Sequence, residues 1–147
     1  MLWCRYGTGP MHNHKLIGHT ADIRAGLCSE SMAGLLVSAY DAVLEIYGLS
    51  PAGEGSAVRE ISVNAQDNEE LLVEFINSLL YLVQTEKFWP RAVDKTEVSG
   101  FNARVVLSGK NRENGVPISR EIKAATFHGL VVKNDGKNFT AEVFFDL

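Results

Sequence analysis

Cysteine is scarce in this chain: Cys4 and Cys28 are the two it has in 147 residues. That is too few for the disulfide framework that holds small secreted domains together, and Cys28 reads as a small core residue. No apolar run approaches the ~20 residues a helix needs to span a bilayer, so no membrane partner is expected. Positive charge is also short. Lys and Arg number 14 against 18 Asp and Glu, a formal net charge of −4. Wrapping a polyphosphate backbone depends on clustered cations, so direct stable binding of nucleic acid is not expected. Also missing are a Walker loop, a dinucleotide glycine fingerprint, a paired-cysteine zinc spacing and a nucleophile elbow, and the chemistries built on them drop out. The first ten residues, Met1–Pro10, lack the apolar centre of a signal peptide, which leaves a cytoplasmic location by default. Their Gly-Thr-Gly-Pro punctuation, followed by Met11, points either to a disordered extension over residues 1–13 or to a start codon assigned too far upstream, with 14–147 expected as a single domain.

What is present is an ordinary globular composition, 46% hydrophobic and 22% charged, with clear periodicities. A first strand is expected at His14–Gly18. In the segment that follows, Ile23, Ala25 and Leu27 share one face of an extended chain, and Asp22, Arg24 and Gly26 the other. Met32, Leu35, Leu36, Ala39, Val43 and Tyr47 then recur at helical spacing, with Ser31 as N-cap and Gly48 closing the far end. Ser50–Ser56 is a loop by composition, and Val58–Val63 a strand in which Val58 breaks the alternation. The strongest local signal begins at Asp67. Asp67 and Glu70 form a capping-box pair ahead of a core stripe of Leu72, Phe75, Ile76, Leu79, Leu80 and Val83. Glu70, Glu74, Asn77, Tyr81 and Gln84 make the opposite, polar stripe. Trp89-Pro90 marks the exit. Strands at about Arg91–Val98 and Phe101–Ser108, hinged at Ser99-Gly100, a polar loop Gly109–Pro117, and strands within Ile118–Lys133 and Phe139–Leu147 around an Asn134-Asp135-Gly136 turn complete the chain. The expected class is α+β, two helices packed on mostly antiparallel sheets.

The end of the sequence carries its own chemistry. The Asp146 side chain and the α-carboxylate of Leu147 follow Val143-Phe144-Phe145, with no Lys or Arg among the last nine residues. They are either a solvated chain end, the commoner fate of surface carboxylates, or one half of a cation site whose other half is Asp22. His12, His14 and His19 match no closed zinc site by spacing. His19 is better placed to orient Asp22 or cap a turn. His128 alternates with Thr126 and Ala124 along one strand face, as a polar residue of that strand. Lys123 faces the other way, either solvated or neutralising a carboxylate. Glu74 is an exposed helix residue, or with Asn77 and Tyr81 part of a contact surface.

Four segments, taken in order, resemble the archease family: His19-Thr-Ala-Asp22, Asp67-x-Glu-x-Leu-Leu-Val-Glu-Phe-Ile-Asn-x-Leu-Leu-Tyr-Leu82, Lys123-Ala-x-Thr-Phe-His128 and Val143-Phe-Phe-Asp-Leu147. The likeness runs from about His14 to Leu147. Phe75 and Phe127 stand where Trp and Tyr are common, and Arg24-Ala25 interrupts a usually apolar strand. The resemblance implies strand-helix-strand-strand units, one inserted in another. It also implies a non-enzymatic accessory protein of the RNA ligase that joins a 3′-phosphate or 2′,3′-cyclic phosphate end to a 5′-hydroxyl. That accessory role is to promote guanylylation and repeated turnover in tRNA splicing and RNA repair. The implied metal ligands are Asp22, Asp146 and the Leu147 carboxylate, with Lys123 needed for function and His19, Thr20, Glu74, Thr126 and His128 as partner-facing candidates. An all-oxygen anionic set suits Ca²⁺ first, then Mg²⁺ or Mn²⁺, and suits Zn²⁺ poorly. Two rivals stand beside this reading: an independent metal-dependent hydrolase using His19, Asp22 and His128, and a binding module that works through the polar stripe of the Asp67 helix.

Overall fold

Ser31 and Asp67 start the two helices as their chemistry dictates. The Ser31 hydroxyl accepts the Gly34 amide at 3.0 Å, and the Asp67 carboxylate accepts the Glu70 amide at 2.7 Å. Glu70 reaches back to the Gln66 amide at 2.9 Å, one residue beyond the cap, so the capping box closes around Gln66 and Asp67 together. The structure, a computed structural model, describes residues 12–18, 22–51, 53 and 55–147. Of the extension expected at residues 1–13, residues 1–11 lie outside the described residues, as do the candidate residues His19 and Thr20, whereas His12 and Asn13 already belong to the first strand. Among the described residues the order is β1 (His12–Gly18), β2 (Asp22–Ser29), α1 (Met32–Tyr47), β3 (Ala57–Asn64), α2 (Asn68–Gln84), β4 (Phe88–Ser99), β5 (Asn102–Asn111), β6 (Ala124–Thr126), β7 (Lys133–Asn134) and β8 (Phe139–Asp146).

The far end of α1 is a Schellman motif. Leu49 donates to the Leu44 carbonyl at 2.9 Å and Gly48 to the Glu45 carbonyl at 3.1 Å, with Gly48 at φ 71°. A side chain at Gly48 would be strained twice, by that φ and by the Ser119 hydroxyl 2.3 Å from where its Cβ would stand. Losing the other helix's start is a milder change. Asp67→Ala should cost about 1 kcal/mol, read as a lower midpoint in denaturant unfolding with an unchanged slope.

The strands form two antiparallel sheets. The first has the order β1-β2-β8-β6, with β7 also pairing β8; the second has the order β3-β5-β4. The unit β3-α2-β4-β5 is therefore inserted between α1 and the β6–β8 return, as the nested strand-helix-strand-strand expectation requires. Helix α1 packs on β1, β2 and β8 of the first sheet and on β4 of the second; α2 packs on β3 and β4 of the second and on β6 of the first. Their shared core holds Tyr47, Phe75, Phe88 and Phe145, each fully buried, and Ile23, Ala25 and Leu27 point into it as the alternation in β2 predicts. No described helix is long and apolar enough to cross a membrane.

Three expectations fail in instructive ways. Trp89-Pro90 does not end an element: both lie inside β4, an edge strand, where a proline needs no partner for its missing N–H and the register shifts between Pro90 and Ala92. The strand structure expected within Ile118–Lys133 is interrupted. The segment is extended only at Ala124–Thr126 and Lys133–Asn134, because a turn closed by the Leu130 amide on the Phe127 carbonyl, with Gly129 at φ 64°, intervenes. His128 sits in that turn rather than on the strand. The polar stripe of α2 is also not uniformly solvated. Asn77 bonds both peptide groups of Ala125, accepting its N–H at 3.0 Å and facing its carbonyl at 3.4 Å. Gln84 accepts the Ile122 amide at 3.0 Å and the Tyr47 hydroxyl at 2.5 Å. Burial, with Glu121 nearby, pushes the Tyr47 phenol well above its ordinary range, so it stays a neutral donor. Two of the five stripe residues, Asn77 and Gln84, thus hold the chain that leads into β6.

Candidate cation site at the end of β2 and β8

The first sheet is pinned at one end by its innermost strand. β8 lies between β2 and β6, with Phe145 fully buried and Leu147 packed against the core beyond it, so the strand end is tied down. Because side chains alternate, Asp146 must point to the opposite face from Phe145, and Asp22 to the opposite face from Ile23. The register makes Asp22 and Asp146 direct cross-strand partners, and Asp146 pairs on its other side with Ala124. Directly opposed residues share a face with Cβ atoms about 4.5–5.5 Å apart. Residues from opposite ends of the described chain thus stand side by side.

Two carboxylates so placed repel one another unless something positive lies between or beside them. Among the described residues neither is ion-paired: the nearest cation along β2, Arg24, is spent on Glu142 at 3.1 Å. Asp22 is half-buried and Asp146 exposed. Lys123 meets the pair through its backbone, its amide donating to the Asp146 carbonyl at 2.8 Å while its side chain is exposed. One row further in on the same face lie Thr126, Phe144 and Arg24, in register with one another. His128 is exposed and turns its ring edge toward Phe144, with centroids 6.5 Å apart at 73°. Thr126 and His128 therefore border the acid pair without touching it. Glu74 is exposed on α2 and makes no described hydrogen bond or ion pair with either aspartate.

The donor set fits a hard divalent cation. Two carboxylates on one sheet face, at this separation, can share an ion at oxygen distances of about 2.3–2.6 Å, with the Leu147 carboxylate one residue away. Among the described residues no trio of His, Cys, Asp and Glu side chains is placed to hold a metal ion. Sequence reasoning passed over Asn77, Gln84 and Glu69 as structural residues. Glu69 accepts the Val132 amide at 3.0 Å. The signal for them was weak, since a polar residue on a helix face looks the same whether it meets water or a distant peptide group.

Comparison with known proteins agrees with this arrangement of elements. A model of the archease protein family matches residues 14–147. A protein archease of Archaeoglobus fulgidus is 30% identical over 142 residues, covering 91% of this chain and 98% of that protein. One of Methanosarcina mazei is 27% identical over 139 residues, covering 91% and 95%. A crystal structure from Thermotoga maritima, named as an archease and possible chaperone, superposes with a TM-score of 0.63 at 25% identity, covering 90% of this chain and 96% of that one. The solution structure of Methanobacterium thermoautotrophicum protein 1598 has the same fold, with a TM-score of 0.68 at 22% identity and coverage of 91% and 98%. With the family model spanning nearly all of the described residues and the fold matching in both structures, this chain belongs to the archease family.

Proposed function

We propose that this archease is a non-enzymatic cofactor of an RNA ligase that joins a 3′-phosphate or 2′,3′-cyclic phosphate end to a 5′-hydroxyl, promoting its guanylylation and repeated turnover. Asp22, Asp146 and the Leu147 carboxylate hold a divalent cation, Ca²⁺ first and Mg²⁺ or Mn²⁺ as alternatives. The observation that carries this reading is the cross-strand register of Asp22 with Asp146, two unneutralised carboxylates facing the same way at the end of a firmly packed strand. Bound there, the cation supplies a fixed positive charge that offsets their repulsion. The chain's own part is positional. β8 presents Asp146, and the Lys123 amide fixes the Asp146 peptide while the Lys123 side chain stays exposed. A partner ligase meeting this end near its nucleotide-binding centre would be held in the arrangement that accepts guanylate. The net acidic charge suits docking on a protein better than on RNA.

The test is ligation by the cognate ligase with RNA in excess, with and without this protein. Product should stop near one turnover per ligase without it and continue with it; equal progress in both would overturn the role. The third ligand has its own check. A short tag appended after Leu147 should weaken cation binding by about tenfold or more in calorimetry, because it replaces the carboxylate by an amide that carries no charge. Unchanged affinity would remove Leu147 from the site.

A further inference from the structure

Each sheet has two edges, and an open edge offers unpaired N–H and C=O groups to any extended chain. Two of the edges here are visibly closed. On β6, Asn77 occupies both peptide groups of Ala125 from the side, as a neighbouring strand would. On β4, Pro90 and the two register shifts, at Pro90/Ala92 and Val93/Lys95, break the line of donors. The β3 edge is covered only at its start, where the Arg59 guanidinium donates to the Val58 carbonyl at 3.0 Å, and it carries no such device from Glu60 to Asn64. Its register with β5 is continuous from Ala57 to Asn64, it contains no proline, and its outward residues Glu60, Ser62 and Asn64 are exposed.

Beside that edge runs a groove of about 410 Å³ between Glu60–Ser62 of β3 and Asn77, Ser78, Tyr81 and Leu82 of α2. An added strand would lie about 4.8 Å outside β3, and alternate side chains would fall onto α2. Tyr81 is 57% exposed there, a large amphipathic ring on the wall of an open slot. The charge α2 offers beside the groove is negative: Glu74 lies one turn before Asn77 and Ser78, is exposed with no described hydrogen bond or ion pair, and the helix has no Lys or Arg along its whole length. Of the nearby cations, Arg104 is already spent on Glu60 at 2.7 Å and 3.1 Å, and Arg59 is spent on Asn111 at 2.7 Å, on the Val58 carbonyl at 3.0 Å and over the Phe88 ring.

We propose that the β3 edge and the α2 groove take an extended, Lys- or Arg-bearing segment of a partner protein, added as a further strand of the second sheet. Small apolar side chains of that segment face Ser78 and Tyr81, and its cations face Glu74. The site lies on the other sheet from the Asp22–Asp146 pair and stands whether or not a cation binds there. It is tested on the full chain with a blocked, alternating Lys-Val peptide as probe, following backbone amide exchange by NMR. Saturating peptide should slow exchange in residues 57–64. Tyr81→Ala and Glu74→Lys, both at exposed positions and so expected to melt like the parent, should each weaken binding about tenfold. The proposal is overturned if β3 amides gain no protection, if a Glu-Val peptide protects them equally, or if protection grows with protein concentration alone, which would make a second copy the occupant.

Discussion

Phe145→Ala should lower stability by about 3–5 kcal/mol, the range for removing a fully buried ring whose site cannot collapse. For a chain of this size that is a drop in melting temperature of roughly 10 °C. The site is unable to close because Phe145 lies on the central strand of the first sheet, in register with Ile23 on one side and Ala125 on the other, both themselves buried. Neither neighbour can move inward without breaking its own strand pairing. The same substitution one residue earlier is the control. Phe144 faces outward, half-buried beside Arg24 and Thr126, so Phe144→Ala removes less contact and should cost well under half as much. Similar melting for both variants would show that β8 does not present alternate faces to core and solvent. The effect should also extend to the candidate site, because Asp146 is held in place by the residue before it. Phe145→Ala should weaken cation binding even at temperatures where it remains folded, whereas Phe144→Ala should not.

How much of this was legible in the sequence depended on the range of the interaction involved. Helix starts at Ser31 and Asp67, the close at Gly48, the turn at Asn134–Gly136 and the in-out alternation of β2 are set by residues within a few positions of each other, and reading them required no fold. The turn is typical: Asp135 accepts the Lys137 and Asn138 amides at 2.9 Å and 2.7 Å. The misread features were settled by partners far away in sequence. Asn77 meets Ala125 and Gln84 meets Ile122, 48 and 38 positions on, and no periodicity distinguishes such a residue from one in water. The same cause shortened the strands expected within Ile118–Lys133. Their approach is held by side chains of α2 instead of a neighbouring strand, and their continuation turns at Gly129. The Asp22–Asp146 contact lies between these cases. Alternation placed each carboxylate on the outward face of its own strand, but only the pairing of β2 with β8 puts them opposite each other.

Asp22→Ala should abolish stimulation of the ligase while leaving the fold at least as stable as the parent when divalent ions are chelated. The sign of the stability change is the discriminating part. If Asp22 served the fold, its loss would destabilise it. As one of two like charges directly across a strand pair, it instead costs the ion-free protein on the order of 0.2–1 kcal/mol, which the variant recovers. Adding Ca²⁺ reverses the order. Binding to the native state alone stabilises by RT ln(1 + [L]/Kd), about 2.7 kcal/mol at a hundredfold excess over Kd, and the parent should gain this where Asp22→Ala does not. Asp146→Asn should behave like Asp22→Ala. The double variant should add little to either, because a pair that acts through one shared ion loses its function with the first member. If Ca²⁺ stabilises parent and variant equally, the ion binds elsewhere. If Asp22→Ala stimulates ligation normally, Asp22 has no part in the function, whatever it binds. The two measurements separate these failures, since melting with and without Ca²⁺ requires no ligase and ligation requires no melting.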